Sequence, residues 1–287
     1  VNIGQKLDYF KFQNTTNPFG IIFNPVSIEK LVVRAVNQRL FTEADIFFYN
    51  ERFHSYEVHS DLSATNKKEF LDHLNEMVLL MHQQLKEASH ILITYGTSWV
   101  YSDTTNNTIV ANCHKVPQSH FDKHILSVAS IEVAIQNTVD AIRQLNPNCA
   151  FVFTISPVRH IKDGFVENQR SKAHLITALH NLLSSYQLGV ASYFPAYEIM
   201  MDELRDYRFY SNDLLHPSEM AVDYIWQRFK ETTISPATFS TLDEIASIQK
   251  GLEHRPFNTD AKSYKEFQSK LADKIKKMKE EYPFMQF

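Results

Sequence analysis

Asp213 stands three residues before His216 in "SNDLLHPSEM" (residues 211–220), and Pro217 follows the histidine directly. At that spacing, in a turn that opens a helix, the carboxylate can accept the proton on one imidazole nitrogen and leave the other free to act as a base. This is the acid and base half of a serine-type triad. The bland alternative is a helix cap, because an Asp in such a turn also accepts backbone N–H groups. The place of the pair, after the last strand and helix of the main alternating pattern, favours catalysis.

Other residues could line the same site. The chain has only six glycines, so each is read as answering a need of the backbone. Gly20 in "NTTNPFGIIFNP" and Gly96 in "ITYGTSWVY" stand where backbone could approach a ligand or make a tight turn. Arg159 in "SPVRHIKDG" ends a strand pattern, where it could clamp an anionic or sugar-like substrate or pair with Asp163. Trp99 and Tyr101 could floor a sugar site or belong to the core. Of the thirteen histidines, His120 and His124 share a helical face but lack the Glu that a zincin needs, and no other cluster has ligand spacing. No metal and no cofactor are expected.

The elements that position these residues alternate between two hydrophobic periods. "SIEKLVVRAVNQ" places Ile28, Leu31, Val32, Ala35 and Val36 on one helical face, with Ser27 as the expected N-cap behind Pro25. A second helix opens at the capping pair Asn66 and Glu69 and carries Phe70, Leu74, Met77, Met81 and Leu85. Further helices are expected from about Ser130 to Leu145 and from about Val166 to Tyr186. Between them lie three apolar runs, "HILITYG", "CAFVFTISPV" and "GVASYF". Strands without in/out alternation, separated by helices, are what a parallel sheet covered on both faces requires. The expected class is α/β, a three-layer α/β/α sandwich with a mostly parallel sheet, in which sites form at the carboxyl ends of the strands.

Beyond Ile234 the pattern changes to two short helices, one opened by Thr241 and Glu244 and closed by Gly251, the other opened by Ser263 and Glu266. The last carries Tyr264, Phe267, Leu271, Ile275 and Met278 on one stripe beside a lysine-rich face, as a helix docked on its own core would. The expected domains are 1–234, the core, and 235–287, a helical extension packed on it.

Composition bounds the partners. With 287 residues, 44% hydrophobic and 22% charged, the chain can bury a full core, and a formal charge of -4 argues against a nucleic-acid partner. No apolar run approaches the roughly 20 residues of a spanning helix, so no membrane partner is expected. Cys113 and Cys149 lack C-x-x-C spacing, which suits two free thiols in a reducing, cytoplasmic compartment. The sequence opens on Val1 with no leader, so an upstream segment, and any signal within it, is expected to be missing.

The chain resembles the GSCFA family, within the SGNH or GDSL hydrolase superfamily. The likeness lies in "NIGQKLDYFKFQNTTNPFGIIFNPVSI", "ITYGTSWVY", "ANCHKVP", "TISPVRHIKDG" and "SNDLLHPSEMAVDYIW", and it extends to the tail around "HRPFN". It implies an SGNH- or flavodoxin-like core, with His216 as general base and then acid, oriented by Asp213. Gly20, in a loop that includes Asn17, would match the glycine that donates a backbone N–H to the oxyanion. The third block departs from the superfamily pattern: Gly96-Thr97-Ser98 stands where G-x-N is usual, so the shorter Ser98 hydroxyl would replace an amide donor worth roughly 3 kcal/mol. His114 and His160 would line the pocket. The nucleophile would be the serine of a Gly-Ser-Cys-Phe-Ala stretch lying upstream of Val1.

Ser98 itself is a poor nucleophile candidate. "GTSWV" has Val100 where the G-x-S-x-G elbow needs glycine, and "YSDTTNNT" after it reads as loop. Two functions remain. In one, the full-length protein is a serine-type acyl ester hydrolase acting on a small-molecule or carbohydrate ester, and the present chain, lacking its serine, is inactive. In the other, a remodelled, non-catalytic domain binds carbohydrate or another partner through the same cleft.

Overall fold

The computed structural model describes residues 1–185, 190–259 and 261–287. In chain order the elements are α1 (Asn2–Tyr9), α2 (Pro25–Val36), β1 (Phe47–Tyr49), β2 (Arg52–His54), α3 (Lys67–Glu87), β3 (His90–Tyr95), β4 (Trp99–Asp103), β5 (Ile109–Val110) and β6 (Phe121–Ile125). There follow α4 (Val128–Leu145), β7 (Ala150–Ile155), α5 (Phe165–Leu183), β8 (Ala191–Tyr193), α6 (Ala196–Glu198), α7 (Glu219–Thr233), α8 (Phe239–Glu253) and α9 (Lys262–Glu281). The expected ends of α5 at Tyr186 and of the third strand run at Gly189 lie outside the described residues. The chain divides into a larger unit, Asn17–Ala221, and a smaller one made of Val1–Thr16 and Val222–Phe287.

The larger unit is α/β. Its main sheet is parallel, in the order β3-β7-β8, with Leu92 opposite Val152 and Val152 opposite Ser192. Strand β7 is buried along almost its whole length, and Phe151, Phe153 and Ile155 join Ile131, Ile135 and Val139 of α4 and Leu175 and Leu179 of α5 in one apolar cluster. Among the described residues strand β3 pairs with β7 on one side only, and it alternates, with His90, Leu92 and Thr94 exposed. The unbroken apolar pattern therefore marks the central strand better than the outer one.

A second, antiparallel sheet, β5-β4-β6, grows from the strand end at Gly96. Part of "YSDTTNNT", expected as loop, continues β4 to Asp103 before a turn leads into β5. The small polar Ser102 faces inward two residues after Val100, so the period-two signal is present but only one of its two inward positions is apolar.

Helix starts differ from the expected caps where a competing residue fits better. Asn24, not Ser27, caps α2: its side chain accepts from Ser27 N at 2.8 Å, and Pro25 takes the first helical position, where its missing N–H costs nothing. Asn66 caps α3 through Glu69 N at 3.1 Å, as expected.

In the smaller unit Ile245 and Ile248 of α8 pack with Met278 of α9, and Leu271 and Ile275 join them. Helix α8 begins after Thr238 and α9 after Ala261, neither with a side-chain cap, so Thr241 and Ser263 lie inside their helices. Gly251 also lies within α8 and does not close it. A Cβ there would come within 2.8 Å of a Leu271 methyl, so the glycine serves the packing of α8 on α9. Within the same unit Phe10 stacks on Trp226 at 5.3 Å.

Candidate functional site at the strand ends

Asp213 and His216 sit in a tight turn before α7. Oδ1 of Asp213 accepts the backbone N–H of Leu215 at 2.8 Å and of His216 at 3.0 Å, while Oδ2 lies 2.6 Å from His216 Nδ1. The turn needs Leu214 at φ 59, which the Asp hydrogen bonds hold. Those two backbone donors, and then the imidazole, hold the Asp213 carboxyl down at about 2. Asp213 caps no helix, since α7 begins only at Glu219; one carboxylate closes the turn and meets the imidazole. The His216 side chain is 61% exposed, and its Nε2 has no protein acceptor or donor among the described residues.

Three other segments converge on the same end of the sheet. The Arg159 N–H donates to Leu215 O at 3.5 Å, which brings the loop after β7 against the His216 turn. His160 packs edge-on to Phe23 with ring centroids 5.6 Å apart, and its own N–H donates to Asn168 Oδ1 at 2.8 Å. Burial, then the charges of Lys172 and His216, push the His160 imidazole down to about 4, so it is neutral at pH 7. Gly96 and Thr97 at the end of β3 donate their N–H groups to Phe23 O at 2.8 and 3.2 Å.

The expected oxyanion donors are bonded within the protein. The N–H of Gly20 donates to Asn17 O at 2.8 Å, closing a turn with φ +76 at the glycine and a hypothetical Cβ only 2.3 Å from His59 Cβ. Asn17, exposed at φ 47, forms the other end of that turn. The Gly96 N–H is likewise taken by Phe23. Ser98 is fully buried: its N–H donates to Ser171 Oγ at 2.8 Å, and its hydroxyl lies 3.1 Å from both Ser171 oxygens. Each of these donors already has a protein partner, so none points a free proton out of the strand ends.

His114 belongs to another cluster. Its Nε2 lies 2.7 Å from Ser55 O, its ring is 4.7 Å from that of His54, and burial pushes it down to about 4. Arg159 does not pair with Asp163, whose partner is Lys123; its Nη2 donates to Tyr210 Oη at 2.6 Å and its guanidinium lies 4.2 Å over the Tyr210 ring. Lys123 also covers Trp99 and Tyr101, at 5.0 and 5.6 Å from their ring centroids. Those two aromatics are therefore not an open floor for a sugar.

One residue at this end of the sheet went unread in the sequence. Lys172 is 0% exposed, and its Nζ donates to Gly96 O and Ser156 O, each at 2.6 Å. It ties together the ends of β3 and β7. Burial without a carboxylate partner pushes its ammonium down to about 7. A signal was available: Lys172 falls on the same helical stripe as Asn168, Leu175 and Leu179, where a lysine interrupts a core face.

Cys113 and Cys149 are both free, and burial pushes the Cys113 thiol up to about 11, so it carries no thiolate for nucleophilic attack at neutral pH. Among the described residues no three His, Cys, Asp or Glu side chains are grouped to hold a metal ion. No helix among them is long and apolar enough to cross a membrane.

The family model described as the GSCFA family matches residues 1–229. The chain belongs to the GSCFA family. A second model, the C-terminal domain of GSCFA domain proteins, matches residues 245–287. The first GSCFA match contains every residue of the strand-end site, and the second contains α8 from Ile245 onward and all of α9. No curated protein and no solved structure matches the chain.

Proposed function

We propose that this GSCFA protein is a serine-type acyl ester hydrolase of the SGNH kind, whose substrate is an O-acyl ester on a carbohydrate or small alcohol. The observation that carries the reading is the 2.6 Å bond from His216 Nδ1 to Asp213 Oδ2, which leaves Nε2 open beside the ends of β3 and β7. The nucleophile is a serine on a segment preceding Val1. Strand β3 has one edge without a strand partner among the described residues, and a parallel strand added there would end beside Gly96.

In the first half-reaction His216 Nε2 takes the serine hydroxyl proton as Oγ attacks the ester carbonyl. The tetrahedral intermediate collapses, and the imidazolium returns that proton to the departing alkoxide. In the second, His216 takes a proton from water, hydroxide attacks the acyl-serine, and the proton passes back to Oγ as the acid is released. Asp213 holds the ring and stabilises its charged form. No metal, nucleotide or other cofactor enters these steps, and a reducing compartment suits the two free thiols.

The second reading, a non-catalytic carbohydrate-binding domain, is favoured by the donors at Gly20, Gly96 and Ser98 that are already bonded within the protein. A fluorophosphonate probe on the full-length protein separates the two. Labelling of an upstream serine that disappears in His216→Ala supports the hydrolase. A folded full-length protein that remains unlabelled supports the binding domain instead.

A further inference from the structure

A cleft of about 430 Å³ opens beside the His216 turn, between the start of α5, the α6 region and the loop carrying Tyr207. That volume lies in the range of small-ligand sites, about 300–1,000 Å³. Its polar lining has an uneven chemistry. Arg159 is the only charged residue among the seven that line it, and no Asp or Glu is present. Among the described residues its guanidinium has no carboxylate partner, and it rests on the rings of Tyr210 and Tyr207 at 4.2 and 5.8 Å.

The amides sharpen the selection. Asn168 spends its Oδ1 on the His160 N–H at 2.8 Å, and Gln169 spends its Oε1 on the Tyr197 hydroxyl at 2.7 Å. The side-chain N–H groups of Asn168 and Gln169 have no protein acceptor among the described residues. One cation and two amide donors, with one acceptor site of each amide already used, suit a ligand group that accepts hydrogen bonds and carries negative charge. Among the residues that line the cleft the charge is the single positive one of Arg159, which matches a carboxylate better than a phosphate dianion.

The rim adds a body to that headgroup. Phe165 and Tyr207 are 63% and 59% exposed, and both line the cleft. Two exposed aromatic rings beside a guanidinium suit a sugar ring, whose C–H face stacks while its carboxylate meets the Arg fork. We infer that this cleft binds the carboxylate of an acidic sugar, a hexuronate, with Arg159 as anchor, Asn168 and Gln169 as additional donors and Tyr207 and Phe165 against the ring. Assigning that sugar to the alcohol part of the ester rests on the hydrolase reading; the binding itself does not.

Calorimetric titration of the full-length protein tests it, with D-glucuronate, its neutral methyl ester and inorganic phosphate as the probes. The expected result is glucuronate binding at least about tenfold tighter than the methyl ester, as one charge-assisted pair would give. Arg159→Gln should abolish the difference. Gln169→Ala, which leaves the Arg159–Tyr210 bond untouched, should weaken glucuronate several-fold and guards against misfolding of the Arg159 variant. Equal affinity for acid and ester, a preference for phosphate, an unchanged preference in Arg159→Gln, or no binding of glucuronate would each overturn the inference. His216→Ala separates the two proposals: it removes turnover if the hydrolase reading holds and leaves glucuronate affinity unchanged, whereas a missing serine label with intact glucuronate binding would fell only the hydrolase.

Discussion

The carboxylate of Asp213 is divided between two tasks, with Oδ1 fixed by backbone N–H groups and Oδ2 placed 2.6 Å from Nδ1 of His216. Asparagine can reproduce the first task, because its Oδ1 still accepts both N–H groups. It fails at the second, since its amide presents either a second donor to the ring N–H or the wrong imidazole tautomer. In the full-length protein Asp213→Asn should therefore leave the thermal midpoint nearly unchanged while turnover of an aryl acetate falls on the order of a thousandfold. Parallel melting and rate measurements check this. Equal loss of both would reduce the pair to a brace of the turn.

Lys172 gives the protein a pH signature. Its ammonium moves from the usual 10.5 to about 7 on folding. Between those values the unfolded chain holds a proton at this side chain that the folded chain has released, so stability must rise with pH across the window. Denaturant titrations at pH 7 and pH 9 should show the wild type gaining stability. Lys172→Met, which leaves Gly96 O and Ser156 O without their donor, should lose that gain and unbind the ends of β3 and β7.

Two glycines with positive φ make a matched pair. Gly20 at +76 would drive a Cβ to 2.3 Å from His59 Cβ, whereas Gly164 at +90 has nothing within 4 Å. Gly164→Ala should cost only the backbone strain, about 1–3 kcal/mol. Gly20→Ala meets the same strain and a collision as well, so its loss in equilibrium unfolding should be the larger. Similar losses would show that the Asn17–Gly20 turn moves away from His59 freely.

The alternation of helix and strand was legible in the sequence because burial in a parallel sheet imposes its own pattern: "CAFVFTISPV" is apolar on both faces for the reason that β7 is covered on both. The Asp213–His216 pair was legible too, since three residues of separation bring the groups together within one turn. Cap positions were less so, as at α2, where Ser27 was the expected cap and Asn24 holds the position, with Pro25 at the first helical turn.

Tertiary structure decided which polar groups at the strand ends remain open. Glycine at positions 20 and 96 reads as backbone free to meet a ligand, but Asn17 O and Phe23 O already take those N–H groups. Lys172 meets Gly96 across 76 residues of chain, Ser98 meets Ser171 across 73, and Arg159 meets Tyr210 across 51. A hydrogen bond depends on where two groups lie in space, and local periodicity describes only the next few residues. The sequence by itself therefore determined the main helices, the three parallel strands and the Asp213–His216 pair, but not the antiparallel sheet. Only the fold determined how the remaining donors and charges are spent, leaving Arg159, among the described residues, without a carboxylate beside an open cleft.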